Sequence, residues 1–397
     1  MSDVHLITAK FATVNRLKEI LQVRNISFTS SESIEQDNGI SSQKCETLIT
    51  SEQYLNKVGK EAIVSHAKVA KANQVCIING ESPEFGIKTE LGGRMLIFSV
   101  PTSSGKTVSE DYGLQMLATI ISNSNSNSNS MAACDENSTK LFELAKRVAR
   151  TDVTVFINGP TGTGKEVLSK LIHTHSKRNQ ASFVAVNCAA IPENMLEAIL
   201  FGHEKGSFTG ASTANKGIFR AADEGTLLLD EISEMPISLQ AKLLRALQEK
   251  SVTPIGSQTS IPVDVRVIAT TNRNMVEEIK CGNFREDLYY RLNVFPLSTL
   301  SLSERRLDII PISTVLINRH CRNKEDIPYL SPSAQDLLIN YDWPGNVREL
   351  ENVIQRALVL SDGKTISSHD IIIDNALYQN GSEAHIQNRL EKQAISG

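Results

Sequence analysis

Residues Gly159-Pro160-Thr161-Gly162-Thr163-Gly164-Lys165-Glu166 decide the fold of this chain. They stand between an apolar run, Val153 to Ile157, and a helix-like run, Val167 to His175. Strand, glycine loop and helix in that order make a phosphate cradle. Glycines let backbone N–H groups close around phosphate oxygens, the helix N-terminus adds partial positive charge, and a lysine reaches the outer phosphates. The usual pattern follows the lysine with Ser or Thr, whose hydroxyl meets Mg²⁺; here Glu166 fills that place. Pro160 has no backbone N–H, so one donor of the cradle is missing. A second candidate, Ser103-Ser104-Gly105-Lys106-Thr107, fails because Val100 stands where its first glycine is needed. A plain glycine-rich turn before an ordinary helix is the alternative, and an acidic strand downstream argues against it.

The chain has 397 residues, enough for about two or three domains with a well-formed core. Its hydrophobic content of 40% is that of a globular protein, and a net charge of −4 gives no general drive toward nucleic acid. Any DNA contact would need a local basic patch. Cys45, Cys76, Cys134, Cys188, Cys281 and Cys321 are scattered, without a C-x-x-C pair or clustered histidines. That argues against zinc and for reduced thiols in the cytoplasm; Cys188 is expected to lie buried beside a strand. No apolar run approaches the roughly 18 residues of a membrane span, and the N-terminus has no signal-peptide pattern.

Residues 122–130 read Ser-Asn-Ser-Asn-Ser-Asn-Ser-Asn-Ser and offer nothing apolar to bury. The reading places a flexible linker at 122–136, between an N-terminal domain at 1–121 and the rest. In the first domain Val4 to Ile7, Val75 to Ile78 and Met95 to Val100 read as strands, and Val14, Leu17, Ile20 and Leu21 have helical spacing, which predicts a small α/β domain. A phosphoacceptor domain needs an aspartate at its strand ends. Here the first strand runs into Thr8-Ala9-Lys10, and Cys45 to Thr50 ends without one, so phosphorylation control is not expected. After the linker, strand-like and helix-like segments alternate to about residue 300, predicting a mostly parallel sheet at 137–304. Residues 305–376 read as a helical lid, with helices at Ser333 to Asn340 and Val347 to Leu360.

Leu227-Leu228-Leu229-Asp230-Glu231 is an apolar strand ending in two carboxylates. Ligands of open α/β sheets sit at such strand ends. Asp230 is placed to hold Mg²⁺ and Glu231 to orient and activate an attacking water; alone, the pair also reads as an acidic helix cap. Val265 to Asn272 is a second buried strand, whose Asn272 can reach a γ-phosphate or the water, or simply form a turn. Arg285 and Arg291 suit arginine fingers, which bring permanent planar charge to a γ-phosphate; surface salt bridges are the commoner fate. In Trp343-Pro344-Gly345-Asn346-Val347-Arg348-Glu349-Leu350, Asn346 reads as a helix cap with Glu349 completing a capping box. Arg348 in that first turn opposes the helix dipole, which hints at a phosphate partner; a solvent-facing arginine is the alternative. In Gly202 to Ala211, Phe208 sits between glycines. It reads as an exposed contact tip or as a turn whose ring folds back onto the core, and this segment alone favours the second.

Together these segments resemble the AAA+ domain of bacterial enhancer-binding proteins, the sigma-54-dependent activators of the NtrC type, from about residue 140 to 375. In that family the phosphate loop ends in Lys-Glu, as Lys165-Glu166 does. The resemblance implies an AAA+ P-loop ATPase core with a helical lid, preceded by a small receiver-like α/β domain. It implies ATP bound by Gly159 to Glu166 and by a second sensor, Arg348, with Mg²⁺ on Asp230. The switch asparagine falls on Asn187, the first sensor on Thr271-Asn272, and the trans-acting arginines on Arg285 and Arg291. The signature loop Gly-Ala-Phe-Thr-Gly-Ala falls on Gly206-Ser207-Phe208-Thr209-Gly210-Ala211, with Ser207 in place of alanine; Pro160 also departs from the usual glutamate.

The family implies a ring, usually a hexamer, whose loops at Phe208 and Thr209 engage sigma-54 in the RNA polymerase holoenzyme and remodel the closed complex. Flagellar regulators of the FlbD type, with receiver-like domains lacking an acceptor, are the first subgroup to compare with in this reading. Such activators usually end in a helix-turn-helix. Residues 377–397, with one helix-like run from Asn388 to Gln393, cannot form that module; either the chain is cut short, or it acts without direct DNA binding through a DNA-bound partner activator. Two other readings stay open: a non-catalytic co-regulator in mixed rings, and an AAA+ ATPase with a different client.

Overall fold

A computed structural model describes residues 2–34, 45–101, 107–124, 132–208 and 212–373. Thr209, Gly210 and Ala211, the tract 125–131, the rejected Gly105-Lys106 pair and the helix-like run at 388–393 lie outside the described residues.

The N-terminal domain holds strands β1 Ser2–Ile7, β2 Phe28–Ser31, β3 Cys45–Ser51, β4 Gln74–Ser82, β5 Gly86–Glu90 and β6 Met95–Pro101, with helices α1 Val14–Val23, α2 Glu52–Val58, α3 Lys60–Val69 and α4 Tyr112–Ser124. Its sheet runs in the order β2-β1-β3-β4-β6-β5, parallel except for the antiparallel edge strand β5. This is the doubly wound, receiver-like arrangement. Val4, Leu6 and Ile7 are buried in β1, with His5 buried between them on the hydroxyls of Thr29 and Ser31, and Leu17, Ile20 and Leu21 form the inward face of α1. At the carboxyl edge, β1 leads to Thr8 and Ala9 and β3 ends at Ser51, whose hydroxyl caps α2 through the Tyr54 N–H. Glu52, the nearest carboxylate along β3, lies in the first turn of α2. No aspartate stands at these strand ends, as the sequence predicts.

The second α/β unit contains α5 Glu136–Ala149, β7 Val155–Asn158, α6 Lys165–Thr174, β8 Phe183–Asn187, α7 Glu193–Phe201, α8 Ile218–Ala221, β9 Thr226–Asp230 and α9 Ile237–Glu249. The short pair β10 Ser251–Val252 and β11 Ile261–Pro262 follows, then β12 Arg266–Thr271, α10 Met275–Lys280, α11 Glu286–Leu292 and β13 Phe295–Ser298. Five parallel strands order as β13-β7-β12-β9-β8. Leu227 to Leu229 and Val267 to Ala269 are buried, because helices cover both faces of a parallel sheet. The register pairs Thr271 with Asn158, Ser298 with Asn158, and Asn187 with Asp230. The polar last residues of all five strands therefore stand within one residue of each other at one edge, with Asp230 and Asn187 level with Thr270.

The lid comprises α12 Ile309–His320, β14 Tyr329–Leu330, α13 Pro332–Asn340, α14 Asn346–Leu360 and β15 Thr365–Ile366. Trp343 is fully buried at its centre and donates its indole N–H to Leu338 O at 2.8 Å. One apolar core runs through both the lid and the N-terminal domain, joining Tyr112, Leu114 and Leu117 of α4 to Ile310, Leu316 and Ile317 of α12. Thr119 and Thr314 share a hydroxyl contact at 2.7 Å, the Tyr112 hydroxyl donates to Pro328 O at 2.6 Å, and Phe85 stacks on Tyr329.

The fold bears on the expected linker 122–136 only at its two ends, 122–124 and 132–136, which are held in place; 125–131 lie outside the described residues. Ser122 is buried and 122–124 complete α4. Ala132 and Ala133 are buried, and Asp135 caps α5. The cause is Asp308, fully enclosed, which accepts the amides of Cys134 and Asp135 at 2.6 and 2.8 Å and the Ser138 hydroxyl.

Candidate functional site

The loop 159–164 turns from β7 into α6. Gly162 has φ 78°, and a Cβ there would lie 2.5 Å from Gly345 O in the lid. A Cβ on Gly159 would lie 2.0 Å from Thr299 Oγ1. These two glycines are required by close approach on opposite sides of the loop. Lys165 opens α6 and is 7% exposed. Its ammonium folds back onto the loop, donating to Gly159 O at 2.9 Å and Pro160 O at 3.3 Å, and lies 3.9 Å from Glu231 Oε1. Burial is the main cause holding its pKa below the ordinary lysine value; Arg348 adds to the lowering, while Glu231 and Asp230 oppose it. The carbonyl of Pro160 also accepts the Thr163 hydroxyl at 2.8 Å. Glu166 pairs with Lys170 at 2.8 Å and is exposed, so it stands on the outer face of α6 rather than among the loop's inward groups.

The acidic pair lies at the end of β9. Asp230 accepts the Thr270 hydroxyl through Oδ1, and the Asn187 amide through Oδ2 at 3.3 Å. Asn187 from β8 thus bears on Asp230, with no bond to Glu231 among the described residues. Glu231 has φ 51°, a left-handed backbone that costs about 1–3 kcal/mol for a non-glycine residue. Its carboxylate accepts the Asn272 N–H at 3.3 Å, and its own N–H donates to Thr270 Oγ1 at 3.3 Å. The Asn272 side chain donates to Thr161 Oγ1 at 2.8 Å. Lys165, Asp230, Glu231, Asn272 and Thr161 are therefore one connected set, drawn from the ends of the adjacent strands β9 and β12 and from the loop with its helix.

The lid contributes Arg348. Its Cβ is 3.2 Å from where a Gly162 Cβ would be, it is exposed, and its guanidinium makes no hydrogen bond or ion pair among the described residues. An unpaired cation beside the loop suits a phosphate. Asn346 differs from the sequence reading. The helix cap is Gly345, whose N–H donates to Glu349 Oε2 at 2.8 Å, and Asn346 is buried with φ 55°. Its side chain turns away from the helix end to the phosphate loop and to Leu302.

Arg285 and Arg291 are not brought to the loop. Arg285 caps α11 and pairs with Asp287 at 2.8 Å, and Arg291 donates to Leu247 O at 3.0 Å. The Asp287 pairing pushes the Arg285 pKa up and holds the Asp287 carboxyl below its usual range. Both arginines lie on the protein surface. Phe208 is 45% exposed and meets His203 edge-on, with ring centroids 5.0 Å apart. The ring leans on a loop residue rather than entering the core, which corrects the reading that this segment alone favoured. Ser207 Oγ is buried and has no hydrogen-bond partner among the described residues, while a Cβ on Gly256 would meet the Ser207 Cβ at 2.7 Å. Cys188 is buried after β8, and all six cysteines are free.

Sequence reasoning missed Thr270, Thr299 and Arg305 as parts of the site. Thr163 and Thr299 share a hydroxyl contact at 2.7 Å, and Arg305 donates to Thr163 O at 2.7 Å. Thr270 could have been found as the strand-end hydroxyl beside the acidic pair. Among the described residues no cluster of three or more His, Cys, Asp and Glu side chains could hold a metal alone. No helix among them is long and apolar enough to cross a membrane.

Residues 131–298 match the family described as the sigma-54 interaction domain, and residues 303–388 match the AAA+ ATPase lid domain. The chain is 55% identical over 242 residues to the response regulator protein FleR of Pseudomonas aeruginosa, covering 61% of this chain and 51% of that protein. It is 48% identical over 239 residues to the regulatory protein AtoC of Escherichia coli K12, covering 59% and 52%. The chain thus spans about half the length of the curated relatives it matches. A crystal structure of NtrX from Brucella abortus in complex with ATP covers all of this chain and 94% of its own, with a TM-score of 0.57 and 23% identity, a likeness of fold.

Proposed function

We propose that the chain, which matches the sigma-54 interaction domain over residues 131–298 and the AAA+ ATPase lid domain over 303–388, is an NtrC-type sigma-54-dependent activator, a cytoplasmic ATPase that remodels the sigma-54 RNA polymerase closed complex. The observation that carries this reading is the connected set of Lys165, Glu231, Asp230, Asn272 and Thr161, with the uncommitted Arg348 across the loop. Among the described residues Lys165 is held only by two carbonyls and a long contact to Glu231. Phosphate oxygens of ATP would draw it off them. The loop amides other than that of Pro160 would bind the same oxygens. Mg²⁺, when bound, would neutralise charge between the outer phosphates. Asp230 is the carboxylate to hold it, completed by waters and phosphate oxygens as this ion prefers. Glu231 then takes the attacking water and Asn272 fixes its position.

Arg285 and Arg291 have only local partners within one protomer, among the described residues, and lie on the surface away from the phosphate loop. A neighbouring subunit in a ring, a hexamer by family precedent, would receive them at its γ-phosphate, so turnover depends on assembly. The loop 206–211 carries the half-exposed Phe208 and would contact sigma-54. We place the regulatory unit at 1–121, the ATPase core at 137–304 and the lid at 305–376. Incubating the full chain with sigma-54 and ADP–aluminium fluoride tests the assignment. A stable complex that Phe208→Ala abolishes supports it, and no complex removes sigma-54 as the client.

A second reading, a non-catalytic co-regulator in mixed rings, draws on the missing Pro160 donor and the buried, unpartnered Ser207 hydroxyl. A flat absence of ATPase activity at every concentration of pure protein would favour it.

A further inference from the structure

Three consecutive carbonyls of the phosphate loop are gripped from outside the loop. Asn346 Nδ2 donates to Thr161 O at 3.0 Å, the Val347 N–H donates to Gly162 O at 3.0 Å, and Arg305 Nη2 donates to Thr163 O at 2.7 Å. All three donors belong to the lid or its entry, and none to the sheet. A trans peptide is planar, with its C=O and N–H pointing opposite ways. A carbonyl fixed toward the lid therefore fixes the next N–H away from it. The N–H groups so aimed are those of Gly162, Thr163 and Gly164, the donors a phosphate cradle uses.

The donors are built for this. Asn346 is 3% exposed and Arg305 5% exposed, so neither is a surface group that happens to reach the loop. Asn346 holds φ 55°, a conformation asparagine tolerates better than most residues. Its Oδ1 is fixed by the Leu302 N–H at 2.8 Å, so the amide has one orientation. Arg305 lies 3.9 Å from Asp308, the carboxylate that also collects the backbone of Cys134 and Asp135. We propose that Asn346 and Arg305 are positioning residues for nucleotide binding, which aim the phosphate-loop amides by holding the loop's carbonyls, so that the placement of the lid sets the affinity for triphosphate. This rests on the ATP reading above and adds to it a role for two residues that do not touch the nucleotide.

Two variants of the full chain separate the parts of this device. Asn346→Asp keeps an oxygen for the Leu302 N–H and removes the donor to Thr161. Asn346→Gly keeps the left-handed backbone, removes both bonds and adds no charge. Binding of a fluorescent ATP analogue with Mg²⁺ and steady-state turnover are measured on each. Both variants should weaken binding about fivefold to tenfold, the worth of one hydrogen bond. KM should rise while kcat stays within about twofold, because the aimed amides hold ground and transition states alike. Native affinity in Asn346→Gly overturns the proposal, since a defect in Asn346→Asp alone reports charge. A fall in kcat at unchanged KM also overturns it, as that is loss of folded enzyme. Should both variants fail to fold, hydrogen exchange on the native chain decides: Mg-nucleotide must slow exchange in 159–165, 302–306 and 343–348 together, and protection of 159–165 alone refutes the grip. A native chain that takes up no Mg-nucleotide at all refutes the ATP reading instead.

Discussion

Replacing Glu231 by Gln is expected to move binding and turnover in opposite directions. The Glu231 carboxylate lies 3.9 Å from the Lys165 ammonium, with the two side chains 18% and 7% exposed. Glutamine keeps the shape, and its amide oxygen can still accept the Asn272 N–H. The charge is lost, and with it the attraction that helps keep Lys165 on the loop carbonyls. A contact of this length and exposure is worth about 1 kcal/mol. ATP affinity should therefore rise about fivefold. Hydrolysis loses the group that takes the proton from the attacking water, a loss of about 10²–10⁴ in rate, or about 3–5 kcal/mol. The left-handed backbone at residue 231 is unchanged by this substitution, so thermal stability without nucleotide should barely move. Binding of a fluorescent ATP analogue and release of phosphate, measured on the same preparation, give both numbers. A variant that hydrolyses ATP within about tenfold of the native rate would show that Glu231 is not the water-activating group.

Lys165→Ala should weaken ATP binding by about 10²-fold or more, since a buried cation reaching the outer phosphates is lost; calorimetry with Mg-ATP checks it, and native affinity would remove Lys165 from the site. Ser207→Ala removes a buried hydroxyl without a partner among the described residues and should raise stability by about 1 kcal/mol at unchanged ATPase; a destabilised variant in urea titration would mean that the hydroxyl is satisfied. Phe208→Ala should leave ATPase largely intact and abolish activation in a purified sigma-54 transcription assay, whereas joint loss of both would make the loop structural. Asp308→Ala strips the acceptor from two amides and a hydroxyl and leaves Arg305 uncompensated, and should cost about 3–5 kcal/mol in chemical denaturation; a loss below about 1 kcal/mol would refute the view that this carboxylate anchors the segment before α5.

The parts legible in the sequence are those whose signal is local. The glycine spacing, Lys165 and the apolar strand ending in Asp230-Glu231 each occupy a few adjacent residues, and the sheet edge brings them together as expected. The helical lid followed from periodicity. The grip of Asn346 did not, because its partner lies 185 residues away and its neighbour Glu349 imitates a capping box. The docking of α4 on α12 was hidden by composition. Ser122 and Thr119 look like solvent residues, yet both are buried where two helices meet. The arginines Arg285 and Arg291 were legible as residues but not as geometry, since one protomer gives them only local partners. Phe208 was ambiguous because a ring between glycines fits either a tip or a turn, and its contact with His203 depends on a loop crossing that spacing does not encode.

The central claim is that ATP is cleaved at a boundary between subunits, with Glu231 on one side and the arginines of α11 on the other. The most direct measurement is the specific ATPase activity of the pure chain as its concentration is raised through assembly, run beside a mixture of Glu231→Gln and Arg285→Ala proteins. Activity per chain should climb steeply with concentration, and the mixture should recover turnover that neither variant has alone. Activity per chain that stays constant on dilution to monomers, or a mixture as inactive as its components, would contradict the claim.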